Sequence, residues 1–226
     1  AYWPLKDGPT IGFVDVPGHE RFLRNMLAGV AGLDAALLVV AADDGLMPQT
    51  YQHLAVLSIM GVEAGVVVLT KCDLVTDIRI ENVTRAIKKC LSETTLAESN
   101  VIPVSIVSGL GIEKLRTEIR ALSADFRPRP SVGNFRMTID RAFQMHGTGL
   151  VVTGTVSSGT VSNGDRLKLM PSGQEVRVRT IHAQNKASHK GTAGQRLGLN
   201  VTGTKLDTQF SGRGNWLVSG ALNAPT

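Results

Sequence analysis

Apolar residues in this chain follow two different rhythms, and the change between them divides it. From Ile11 to Leu122, short unbroken apolar runs alternate with stripes at helical spacing. The runs are Ile11 with Phe13 and Val14, Ala35 to Ala42, Gly65 to Leu69 and Val101 to Val104; each reads as a strand. The stripes are Leu23, Leu27 and Val30; Leu54 and Leu57; Ile80, Val83, Ile87 and Leu91; and Ile112, Leu115, Ile119 and Leu122. They predict helices over Glu20 to Val30, Pro48 to Met60, Ile78 to Leu91 and a last one around Ile112 to Leu122. Strands alternating with helices predict an α/β unit with a mainly parallel sheet. The unbroken run Ala35 to Ala42 predicts a strand covered on both faces. Ala1 to Thr10 read as a strand end and hairpin leading into Ile11 to Val14.

The rhythm breaks at Asp125-Phe126-Arg127-Pro128-Arg129-Pro130, where two prolines among charges predict a stiff linker. Beyond it the helical period vanishes. Phe135 to Asp140, Leu150 to Val156, Arg166 to Met170, Glu175 to Ala183 and Gln195 to Val201 read as strands, with turns at Asn163-Gly164 and Pro171-Ser172-Gly173. The alternation Val176-Arg177-Val178-Arg179 buries one face and wets the other. The expected organisation is an incomplete α/β unit over 1–126, a linker over 127–132 and a small antiparallel β-barrel over 133–226.

Composition narrows this picture. At 226 residues and 42% hydrophobic content, the chain has enough apolar surface for packed cores. The longest apolar stretch is too short to cross a bilayer, and no basic segment followed by a hydrophobic one opens the chain, so a cytoplasmic protein without a membrane partner is expected. Cys72 and Cys90 are too few for a disulfide framework. A net charge of +5 favours polyanionic partners, and ribosomal or transfer RNA fits.

Candidate chemistry gathers at three strand ends. Asp15 ends the first run, Pro17 and Gly18 break the chain, and His19 precedes a helix. An acid, a glycine amide and a histidine at such a turn can hold a metal-bound water, contact an anion and orient a nucleophile. Thr70-Lys71-Cys72-Asp73 follows the buried-looking run. The Asp73 carboxylate there can accept two hydrogen bonds from the N1 and N2 edge of guanine, which adenine does not offer, while the Lys71 stem packs over the base. Ser105-Ile106-Val107-Ser108-Gly109 follows the fourth strand, and its backbone amides can meet a base carbonyl. Taken singly, each also reads as ordinary turn and cap chemistry.

In order, the three clusters resemble the switch-II, guanine-specificity and final base-contact motifs of translational GTPases. The wording around Asp15, with His19-Glu20, Asn25-Met26-Leu27-Ala28-Gly29 and Ile181-His182-Ala183-Gln184-Asn185, resembles the bacterial selenocysteine-specific elongation factor family more than elongation factor Tu. The resemblance spans essentially the whole chain. It implies a P-loop GTPase-like domain followed by the second, barrel domain of translation factors.

It also implies GTP or GDP as ligand, with magnesium held by Asp15 through water, Gly18 N–H on the γ-phosphate and His19 orienting the attacking water. Thr70, Lys71 and Asp73 would read guanine, helped by the backbone of Ser105 and Ile106. Thr70 stands where the family usually has Asn; its shorter hydroxyl bonds locally and forgoes the amide's reach. In the barrel, Asp140, Arg141 and Arg196 would receive the aminoacyl end of selenocysteinyl-tRNA; equally, they read as a strand-end ion pair and a solvated strand residue. His146 and His182 read as polar residues on the barrel. The implied partners are selenocysteinyl-tRNA and the ribosome, without DNA, for a monomer.

The Gly-x-x-x-x-Gly-Lys-[Ser/Thr] loop that cradles phosphates is not found among these residues. The expectation is therefore a truncated factor with a weakened first domain, defective in GTP binding and hydrolysis, beside an intact barrel. The rival readings are a non-catalytic GTPase-derived RNA-binding module and an elongation factor Tu-like or initiation-type GTPase.

Overall fold

The computed structural model describes residues 1–6, 8–16, 33–124, 126, 130–203, 212 and 214–220. The helix expected over Glu20 to Val30, with Gly18 and His19 before it, lies outside the described residues. The chain divides into two compact units, Trp3–Phe126 and Ala1–Tyr2 with Arg127–Thr226.

Near the start of the chain, β1 (Tyr2–Pro4) and β2 (Thr10–Gly12) form a two-stranded sheet. A separate parallel sheet holds β3 (Ala36–Ala41), β4 (Gly65–Thr70) and β5 (Asn100–Pro103) in that order. On one face, α1 (Pro48–Ile59) and α2 (Asp77–Leu91) contribute Leu54, Leu57, Val83, Ile87 and Leu91 to a core shared with Leu38, Val40, Val67 and Leu69. On the other, α3 (Ile112–Ala124) lays Ile112, Leu115, Ile119 and Leu122 over Val66, Val68, Ile102 and Val104. Thr76 caps α2 by accepting a hydrogen bond from the Arg79 N–H.

Two expectations are corrected here. The first strand stops at Gly12, pairs with β1, and leaves Phe13 and Val14 exposed. The run in β3 is covered on one face only, with Leu37 42% and Val39 59% exposed. Their register neighbours Val66 and Val68 lie under α3, whose stripe packs on β4 and β5 and stops short of β3.

The second unit comprises β6 (Arg136–Met145), β7 (Gly149–Ser158), β8 (Thr160–Ser162), β9 (Arg166–Met170), β10 (Gln174–Ala183), β11 (Lys186–Ser188), β12 (Lys190–Thr192), β13 (Arg196–Thr202) and β14 (Trp216–Val218). The antiparallel order β10-β13-β7-β6-β14-β9 closes on itself through the β9–β10 pairing, so this six-stranded ring has no open edge. Strand β11 adds to β10, and β8 pairs with β12. Phe135, Met137, Ile139, Val178, Leu197 and Leu199 fill the interior. Burying each such side chain contributes about 1.5–3 kcal/mol. Gly154 permits the closest approach in the ring, because a Cβ there would sit on the Thr138 carbonyl oxygen.

Candidate functional site

The ends of β4 and β5 bring two of the three clusters together. Pairing of Leu69 with Pro103 continues past both strands: Val104 N–H donates to Leu69 O at 2.8 Å, and Cys72 N–H donates to Val104 O at 3.2 Å. Asp73 and Ser105, each the next residue along, therefore leave the sheet side by side. Thr70 turns its hydroxyl back into the sheet, donating to Val40 O at 3.3 Å.

Lys71 then takes a left-handed conformation with φ 57°, which costs a β-bearing residue on the order of 1 kcal/mol. Its side chain is tied down: Nζ lies 2.8 Å from Asp43 Oδ2 and 3.7 Å from Asp44 Oδ2. The short 3-10 turn Cys72–Leu74 follows, with Cys72 buried and its thiol donating to Leu69 O at 3.1 Å. Burial pushes that thiol up from its ordinary value, so it stays protonated. Asp73 and Leu74 are exposed.

Asp43 and Asp44 lie in the turn after β3, which Arg79 holds by donating Nε to Ala42 O at 3.1 Å and Nη2 to Asp43 O at 3.0 Å. The Lys71 hydrogen bond holds the Asp43 carboxyl below its ordinary value. That ion pair is therefore complete at neutral pH and dissolves as pH falls through the folded value. Reading the sequence for strand-end acids finds Asp43 and Asp44 but no link to Lys71. Arg79 carries no local signal, because its partners lie more than thirty residues earlier.

The β5 end is braced from within. Ser105 is fully buried; its N–H donates to Leu110 O at 3.0 Å, and its hydroxyl accepts from Ser108 N–H at 3.1 Å. Its amide is thus engaged inside the turn, which corrects the expectation that Ser105 offers a backbone donor to a base. Ile106, 86% exposed, keeps an N–H without a hydrogen-bond partner among the described residues. The Asp73 carboxylate likewise has no hydrogen-bond or ion-pair partner there. An acceptor pair and a donor at adjacent strand ends form the complement of guanine's N1, N2 and O6 edge.

Asp15 is exposed beyond β2, and its neighbour Val16 packs against the core that β3 shares with α1 and α2. Gly18 and His19 lie outside the described residues. Among the described residues no group of three His, Cys, Asp or Glu gathers to hold a metal, and no helix is long and apolar enough to cross a membrane.

The barrel holds a different arrangement. Ile139 pairs with Gly154 and Arg141 with Thr153, so Asp140 is the extra residue of a β-bulge. Asp140 and Arg141 consequently both face outward before Ala142 returns to the core. Arg196, on β13, forks onto Asp140: Nη1 pairs with Oδ2, and Nη2 donates to Oδ1 at 2.9 Å. Thr153 adds a hydroxyl bond to Asp140 Oδ1 at 2.7 Å. Hydrogen bonding to Asp140 raises the Arg196 guanidinium above its ordinary value. Thr153 carries no sequence signal; its role follows from register alone. The Arg141 side chain is exposed, with no ion pair among the described residues. His182 is exposed opposite Gly198, and His146 is exposed in the β6–β7 turn.

Residues 5–126 match the family described as elongation factor Tu GTP binding domain, and residues 149–218 match elongation factor Tu domain 2. The chain is 47% identical over 219 residues to the selenocysteine-specific elongation factor of Escherichia coli (strain K12), covering 97% of this chain and 35% of that protein. It is similar to a solved bacterial selenocysteine-specific elongation factor EF-Sec, with a TM-score of 0.88, 32% identity, and coverage of 96% of this chain and 37% of that one. It is equally similar to translation elongation factor SelB from Methanococcus maripaludis in complex with the GTP analogue GPPNHP, with a TM-score of 0.88 at 32% identity, covering 97% and 48%. The chain thus spans between about a third and a half of these relatives' length.

Proposed function

Since the chain belongs to the translational GTPases that carry an elongation factor Tu GTP-binding domain, within the selenocysteine-specific elongation factors, we propose that its first unit reads guanine and its barrel receives selenocysteinyl-tRNA. In the whole protein these two acts serve delivery of that tRNA to the ribosome with GTP hydrolysis.

The carrying observation is that the Asp73 carboxylate and the Ile106 N–H, which follow adjacent strand ends, both lack a hydrogen-bond partner among the described residues. Asp73 accepts from guanine N1–H and N2–H, Ile106 N–H donates to O6, and the Lys71 stem lies over the ring. Thr70, its hydroxyl turned to Val40 O, supports the strand end from which Lys71 and Asp73 reach the base. By the family resemblance Asp15 would hold magnesium through water, Gly18 N–H would contact the γ-phosphate, and His19 would orient the attacking water. The metal, when bound, neutralises charge on the phosphates.

On the barrel, Asp140 neutralises and aligns Arg196, leaving Arg141 as the unpaired cation for the amino-acid side chain. A selenol is largely ionised at neutral pH and a serine hydroxyl is not, so a guanidinium there discriminates by charge.

Displacement of a fluorescent GDP analogue by GDP, XDP and ADP tests the base assignment, because all three competitors carry the same phosphates. Without the phosphate-cradling loop binding is expected to be weak, and the native chain should still prefer GDP to ADP. Asp73→Asn is expected to weaken GDP about 100-fold and to favour XDP, whose C2 carbonyl accepts from the new amide. Equal displacement by GDP and ADP, or an Asp73→Asn variant with unchanged preference, contradicts the proposal.

A further inference from the structure

A second charged face lies on the barrel, away from Asp140 and Arg196. On the outer side of β9 and β10, Arg166 stands directly opposite Arg177, and Lys168 stands opposite Glu175. Arg179 is the extra residue of a bulge between Val178 and Thr180, and it is also exposed. Like charges placed directly opposite destabilise a sheet, and among the described residues no ion pair relieves Arg166 and Arg177. The Arg166, Lys168 and Arg179 side chains make no ion pair or hydrogen bond among the described residues, and neither does Glu175. Arg177 is pre-aligned by donating Nε to Gly164 O at 3.3 Å. Asp165, the nearest other acid in sequence, is turned to the Ser162 N–H. On the adjoining strand β14, Trp216 is 40% exposed opposite Met170 of β9.

We propose that the outer face formed by β9, β10 and β14 binds an unpaired RNA segment, its phosphates on Arg166, Lys168, Arg177 and Arg179 and one base stacked on Trp216. A row of unpaired cations beside an exposed indole is the combination that single-stranded nucleic acid requires. The net charge of +5 favours the encounter. In the ring order β10-β13-β7-β6-β14-β9, this face and the Asp140–Thr153–Arg196 cluster occupy opposite arcs. The RNA held here is therefore a different stretch from an aminoacyl end seated at Arg196, and the proposal stands without that assignment.

The test is fluorescence anisotropy with a labelled, unstructured RNA of about 12 nucleotides, titrated over a range of salt. For a single strand, removing one cation that neutralises a phosphate should flatten the log–log salt slope by about 0.7. Combining Arg166→Gln, Lys168→Gln and Arg177→Gln is expected to flatten it by about 2 and to weaken binding about a hundredfold near 0.1 M salt. The charge-matched set Lys88→Gln, Lys89→Gln and Lys114→Gln is expected to retain the native slope. In a Trp3→Phe background, Trp216 fluorescence should be quenched by this RNA and not by a fully paired duplex of equal length. Equal flattening by both sets, an unchanged slope in the first, or a Trp216 signal indifferent to RNA overturns the proposal. Circular dichroism of each variant identifies loss of fold.

Discussion

The two candidate sites are built in opposite ways. At the ends of β4 and β5 the chemistry sits in loops, and the groups facing outward, the Asp73 carboxylate and the Ile106 N–H, have no partners of their own among the described residues. On the barrel the side chains project from strands fixed on both sides, and Arg196 is already met by Asp140 and Thr153. In the first unit the ligand-ready groups are recognised by what they lack. In the second, the ready group is Arg141, standing beside a pair that has neutralised itself.

The contrast is tested most severely through the backbone. Gly154→Ala places a methyl on the Thr138 carbonyl inside a closed ring that cannot open to relieve it, and about 3 kcal/mol of barrel stability should be lost. Gly65→Ala in the parallel sheet brings a Cβ to 2.8 Å from Ala36 O, and the expected loss is about 1 kcal/mol. Paired urea titrations check the difference; a larger loss at Gly65 would reverse it.

A smaller effect separates the two arginines. Arg196→Ala removes the forked guanidinium from the Asp140 carboxylate, only 17% exposed, and should cost about 2 kcal/mol of barrel stability. Arg141→Ala, at an exposed and unpaired side chain, should leave stability within about 0.5 kcal/mol while weakening selenocysteinyl-tRNA more than seryl-tRNA in filter binding. Equal loss for both tRNAs would rule out discrimination by charge.

Much of the fold was legible because period decides it. Arg166 to Met170 alternates and is β9 over the same residues, and the stripe Ile80, Val83, Ile87 and Leu91 lies within α2. The run in β3 misled because apolar character at Leu37 and Val39 reports what the strand tolerates, while coverage depends on how far α3 reaches. The order of Asp73 and Ser105 along the chain pointed to one site, and parallel pairing of β4 with β5 brings them together. What could not be read was register. The bulge that turns both Asp140 and Arg141 outward exists only relative to Gly154 and Thr153, and the engagement of the Ser105 amide depends on Leu110 closing the turn. The tie from Lys71 to Asp43 is likewise a fact of strand adjacency rather than of local pattern.

Recognition of a base at the β4 and β5 ends is the premise on which the first unit's role depends. Backbone amide shifts followed by NMR during GDP titration, with ADP at the same concentrations as reference, address this directly. The Ile106 amide should move downfield with GDP and stay in place with ADP, while amides flanking Arg196 remain still in both. An Ile106 amide that ignores GDP, or answers both nucleotides alike, would contradict it.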